Sequence, residues 1–197
     1  VRHIAATPRS SGARIVDEMI DAAPHLAAAI DEVLDGYGPG ARRVAERAGT
    51  RIVVLAPGQR FGERSPALRR LAAGVDGWPL PPAGLFVVEE RTIYLRSTSA
   101  MTVAHEYGHA LDCALGEGVY LSGVDPRIRR AFARAPAFVT PYAASACDEY
   151  FAEALRAWVG INDTPSLWPR ATRERLWAID PRMAVLVASL FANELAG

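Results

Sequence analysis

Apolar residues recur at helical spacing between Ala13 and Asp35, first as Ile15, Val16, Met19 and Ile20, then as Leu26, Ile30, Val33 and Leu34. Pro24 interrupts the run, so two short helices or one kinked helix are expected there. Gly36-Tyr37-Gly38-Pro39-Gly40 reads as a stop and loop, and Ala41–Ala48 as a short helix. Arg51–Ala56 is a β-branched run closed by Pro57-Gly58, the pattern of a buried strand. Ser65-Pro66 caps and opens a helix to Ala73, and the Gly- and Pro-rich stretch from Gly74 to Gly84 is a loop. Leu85–Val88 and Thr92–Leu95 flank Glu89-Glu90-Arg91 and predict a β-hairpin. The pattern then turns helical: Ser97–Leu115 stopped by Gly116, Asp125-Pro126 to Ala135, Ala146–Val159 stopped by Gly160, Arg170–Ile179 and Pro181–Leu195. Pro136–Ser145 is irregular, and residues 1–12, with Pro8, Ser10, Ser11 and Gly12, read as a flexible tail ahead of a helical part over 13–50. Helices, a few strands, then helices make an α+β chain, and 197 residues suit a single domain.

Composition changes this picture little. Half the residues are hydrophobic, enough for a sizeable core. The formal charge is zero and no basic stripe stands out, so nucleic acid is not an expected partner. No apolar run approaches the roughly 18 residues of a transmembrane segment. All 22 positive residues are arginine and none is lysine. A GC-rich genome accounts for that; so does a toxin or effector that avoids ubiquitination inside a target cell. The second reading implies a secreted or delivered protein, with a delivery domain outside this chain; the alternative is a cytoplasmic protein.

The chemistry sits in His105-Glu106-Tyr107-Gly108-His109. Residues four apart share one face of a helix, about 6 Å apart at Cβ, so the two imidazoles can converge on one zinc ion. Glu106 lies beside the first ligand, where it can take a proton from water. Gly108 has no side chain and lets another segment come close. A catalytic zinc needs a third protein ligand, and Asp148-Glu149-Tyr150-Phe151-Ala152-Glu153 follows on a second helix. Glu149 is the expected ligand, ahead of Asp148 and Glu153. Glu153, four residues on, is then placed to accept the free N–H of a histidine ligand, His105 before His109. Asp112 reads equally as an outer acceptor for the centre or as a helix surface charge. His3 and His25 have no partner pattern and read as surface histidines.

These residues also carry a likeness. His105–Asp112 (HEYGHALD) and Tyr142–Leu155 (YAASACDEYFAEAL) resemble the anthrax lethal factor-like zinc metalloproteases, the family of the lethal factor catalytic domain and the secreted Pro-Pro endopeptidases. The resemblance implies a zincin-like metalloprotease fold, a small mixed sheet with an edge hairpin and helices bearing the HExxH and ExxxE patterns. It implies Zn2+ as cofactor on His105, His109 and Glu149, with Glu106 as general base. It also implies that Tyr142, seven residues before Glu149, donates to the developing oxyanion. The loop Trp78-Pro79-Leu80-Pro81-Pro82 resembles the tryptophan loop ahead of the edge strand in the Pro-Pro endopeptidases. Trp78 therefore lines the substrate cleft, or else pins its loop to the core.

The expected activity is hydrolysis of a protein or peptide substrate laid along the hairpin's edge. The rival readings are a non-cleaving zinc-bearing binding module, against which the intact Glu106 argues, and an intracellular regulatory peptidase of the titration-factor type. Cys113 and Cys147 flank the two ligand helices, as a disulfide pinning them together or as two small buried hydrophobes.

Overall fold

A computed structural model describes residues 19–71, 74–166 and 169–196. The tail over 1–12, His3, and the apolar positions Ile15 and Val16 lie outside the described residues, as do the last two positions of the helix expected to end at Ala73.

Four strands form one mixed sheet in the order β1-β2-β4-β3: β1 (Ile20–Asp21), β2 (Arg51–Val54), β3 (Gly84–Val87) and β4 (Thr92–Leu95). β1 pairs with β2 and β2 with β4 in parallel; β3 and β4 form the antiparallel hairpin, with Phe86 opposite Ile93. This leaves β3 on the edge. Both faces of the sheet are covered. Ile52, Phe86, Ile93 and Leu95 face the main core, while Val53, Val87 and Tyr94 pack with Phe61, Leu68 and Val75 in a second cluster. Burial on both sides is why β2 reads as an unbroken apolar run rather than an alternating one.

The helices are α1 (Pro24–Asp35), α2 (Pro39–Arg47), α3 (Phe61–Arg64), α4 (Pro66–Arg70), α5 (Ala100–Leu115), α6 (Leu121–Val124), α7 (Pro126–Ala133), α8 (Cys147–Val159), α9 (Arg173–Ile179) and α10 (Pro181–Asn193). Pro24 opens α1 at its first turn instead of kinking a longer helix. Ile20, expected on a helix, lies in β1 because its backbone pairs with Ile52. Three segments depend on distant partners, and two of them, α3 and α6, gave no periodic signal. α3 is held at its start by Asp76, which accepts from Phe61 N at 2.9 Å and Gly62 N at 3.0 Å. α6 is held by Asp112, and β1 by its neighbour strand.

α5 carries the HExxH stretch. Ser99 caps it by accepting from Thr102 N at 3.2 Å, and Gly116 closes it. Its middle is buried from Val103 to Cys113 except at His105. The Tyr37 hydroxyl, after α1, donates to Ala104 O at 2.7 Å and fixes the helix from that side. On another side α5 crosses α8 at Gly108, where a Cβ would lie 3.1 Å from both the Cα and the carbonyl oxygen of Ala152. Glycine allows that approach without pushing α8 outward, and it brings Glu149 and Glu153 of α8 over the two histidines. α8 is pinned on its far side by Tyr150, whose hydroxyl donates to Asp180.

Among the described residues no helix is long and apolar enough to cross a membrane. Both thiols are free: Cys113 is buried in the core and Cys147 donates to Ser122 O at 3.3 Å, so no disulfide pins the ligand helices.

Candidate metal centre

His105 and His109 project from one face of α5, and Glu149 reaches them from the first turn of α8, where the helix dipole favours a carboxylate. The ligand atoms converge. Glu149 Oε2 lies 2.9 Å from His105 Nε2 and 3.1 Å from His109 Nε2, and the two Nε2 atoms are 3.1 Å apart. With both Nε2 atoms unprotonated, one cation placed among the three atoms would satisfy all of their lone pairs at once. Tetrahedral zinc with bonds of about 2.0–2.1 Å would separate its ligand atoms by about 3.3–3.4 Å, so small outward shifts suffice. The residues fit a zinc ion.

Glu153 Oε1 lies 2.9 Å from His105 Nδ1. A proton on Nδ1 leaves the Nε2 lone pair free for a metal. His109 Nδ1 is buried and has no hydrogen-bond partner among the described residues. Burial would push His105 down, but Glu149, Glu153 and the charge of Glu106 carry it up to about 10. Burial opposes ionisation of Glu149 and Glu153 as well. The histidines at Glu149, and His105 with Arg156 at Glu153, outweigh it and hold both well below the usual carboxylate range.

Glu106 faces the β3 edge and is 8 % exposed. Burial raises its pKa, against the lowering effect of His105 and His109, which suits a group that must pick up a proton. It lies against Gly84: a Cβ there would meet Glu106 Cγ at 2.7 Å and Thr102 Cγ2 at 3.0 Å. Gly84→Ala is therefore expected to displace the Glu106 side chain and lower activity at least 10-fold with little loss of zinc. A zinc titration beside an activity assay checks this, and full activity would contradict it.

The Tyr142 hydroxyl donates to Glu149 Oε1 at 3.0 Å, and its ring stands 5.3 Å from that of His105. Tyr142 sits in a 3-10 turn, Tyr142–Ala144, half-exposed at the mouth of the site. A cavity of about 320 Å3 opens beside His105 and Glu106, walled by Pro82, Ala83, Met101 and Thr140. Trp78 stands 55 % exposed on the loop ahead of β3, so it does not pin that loop into the core. The same loop reaches the cavity through Pro82 and Ala83.

Asp112 is no surface charge. It is fully buried and accepts from Ser122 N at 2.8 Å and Ser122 Oγ at 2.5 Å, which starts α6; it makes no hydrogen bond to His109. Burial pushes its carboxyl up to about 6, from 3.8, despite the Ser122 donors. The folded protein thus binds this proton more tightly than the unfolded chain does. The Asp112 contribution to stability is expected to rise as pH falls from about 7 to 4, and Asp112→Asn to remove that slope. Urea midpoints of both proteins across this range check it; parallel curves would refute it. His25 is exposed.

Four contributors gave no motif. Gly84 and Ser122 have no local pattern. Thr140, in the irregular stretch, donates to Glu153 Oε2 at 2.6 Å. Arg156 forks onto Glu153 and left one trace: a charge three residues after Glu153 in an otherwise apolar run.

The chain superposes on the Pro-Pro endopeptidase PPEP-2 from Paenibacillus alvei with a TM-score of 0.62, over 90% of this chain and 100% of that one, at 22% identity. The fold is zincin-like. Its mixed sheet, edge hairpin and two ligand helices are those expected from the sequence. No family model and no curated protein sequence matches the chain. The likeness in fold thus reaches a Pro-Pro endopeptidase, and the resemblance to the lethal factor-like proteases is one of sequence motifs.

Proposed function

We propose that the protein is a zinc-dependent endopeptidase. The observation that carries this reading is the convergence of His105 Nε2, His109 Nε2 and Glu149 Oε2 beside a buried carboxylate, Glu106. Zinc bound to this trio would supply Lewis acidity, polarising the scissile carbonyl and making nearby water more acidic. The remaining work falls to the chain. A substrate laid along β3 would be held by main-chain hydrogen bonds to the outer side of that edge strand. Glu106 takes a proton from the attacking water and returns it to the leaving amine. The Tyr142 hydroxyl, which rests on Glu149 at the mouth of the site, would donate to the carbonyl oxygen as charge develops there.

The cavity beside His105 has a largely apolar wall that includes Pro82, Ala83 and Met101, which suits an apolar substrate residue such as proline. This supports a proline-directed specificity, as does the likeness to a Pro-Pro endopeptidase. A protein or peptide is the substrate. The absence of lysine fits a secreted enzyme or a toxin delivered to a target cell, although a GC-rich genome accounts for it equally without delivery.

Metal removal tests the reading. A chelator is expected to abolish cleavage and zinc to restore it, in a peptide assay with metal content measured in parallel. Cleavage that persists in metal-free protein would refute the zinc mechanism.

A further inference from the structure

Arg156 is 1 % exposed and among the largest fully buried side chains of the protein. A buried guanidinium is costly unless it is paired with an opposite charge and well hydrogen-bonded. Here Nε donates to Glu153 Oε1 and Nη2 to Glu153 Oε2, both at 2.8 Å, the two-pronged fork that arginine forms with a carboxylate. Nη1 donates to Ile161 O at 2.9 Å and to Asn162 Oδ1 at 3.2 Å. Asn162 is itself fixed, donating to Ala171 O at 2.8 Å and accepting from Ala171 N at 2.9 Å.

We infer that Arg156 is a positioning residue for the metal centre, acting through Glu153; this rests on the zinc-peptidase reading. Glu153 is a hub. Its Oε1 meets His105 Nδ1, and its Oε2 accepts from Thr140, whose Oγ1 also accepts from Ala143 N at 3.3 Å. One carboxylate therefore sets the ring of a ligand histidine on α5 and anchors the loop that carries Tyr142. Held by His105 and Thr140 alone, that carboxylate could turn about its own bonds. The fork fixes both oxygens at once and ties them to the turn after α8. Lysine, a single point donor, cannot hold both oxygens.

The test is the zinc dissociation constant, measured by competition with a chromophoric chelator, with circular dichroism to confirm folding. The proteins are the unaltered chain, Arg156→Lys, Arg156→Met, Glu153→Gln and the double variant Glu153→Gln/Arg156→Met. Each Arg156 variant is expected to bind zinc about 10-fold or more weakly, in the range that partners of ligand histidines command. The double variant should bind no more weakly than Glu153→Gln, because Arg156 acts only through Glu153. If Arg156→Met does not fold, Arg156→Lys reads the same loss. Folded Arg156 variants with unchanged affinity would overturn the inference, as would losses that multiply in the double variant. Failure of the unaltered chain to bind zinc would overturn the metal reading and this inference together.

Discussion

Glu106→Gln is expected to lower kcat/KM by about 10²–10⁴-fold, the contribution of a general base, while zinc still binds. Glutamine keeps the volume of Glu106, which is confined between Gly84 and the histidine pair, so the pocket and the ligand geometry persist. What is lost is the ability to accept a proton. Glu106 is not among the converging ligand atoms, so its replacement removes no bond to the metal. Kinetics on zinc-loaded variant and unaltered protein check this. A variant with near-normal turnover would mean that the water proton goes elsewhere.

Glu149→Ala is expected to abolish activity by a different route, through the metal. Glu149 Oε2 is the atom both histidines share, at 2.9 and 3.1 Å, and Glu149 is the only converging ligand carried by α8. Removing it leaves two imidazoles, too few for a catalytic zinc site. Partners outside the ligand set already cost about 10–100-fold when lost, so removal of a ligand is expected to weaken zinc by more than about 100-fold. It also frees Tyr142 from its hydrogen bond. Retained zinc affinity in Glu149→Ala would place the third ligand elsewhere.

The parts of the site that share a helix were legible in the sequence. His105 and His109 sit four apart on a helix with a serine start and a glycine stop, and Glu149 and Glu153 sit four apart on the next helix rich in acidic residues. Spacing alone put each pair on one face. Gly108 marked a close approach by some other segment, and that segment is α8. What stayed hidden depends on contacts between distant parts of the chain. Asp112 looked like an outer acceptor or a surface charge because nothing local marks Ser122, ten residues on, as its partner. α3 needs Asp76, and β1 needs β2, before either has a reason to form. Gly84 reads as a loop end, and only the packing of β3 against α5 shows that a side chain there would displace Glu106. Arg156 stood out only as a charge in an apolar stretch of a predicted helix, and its burial shows what that charge meets.

Cleavage mapping by mass spectrometry tests the central claim most directly. The zinc-loaded protein is incubated with a diverse peptide library that includes Pro-Pro sequences, beside Glu106→Gln. Cuts made by the unaltered protein and absent with the variant are the expected result, with proline flanking the cut bond. An identical peptide profile from both proteins, with zinc bound in each, would contradict the account.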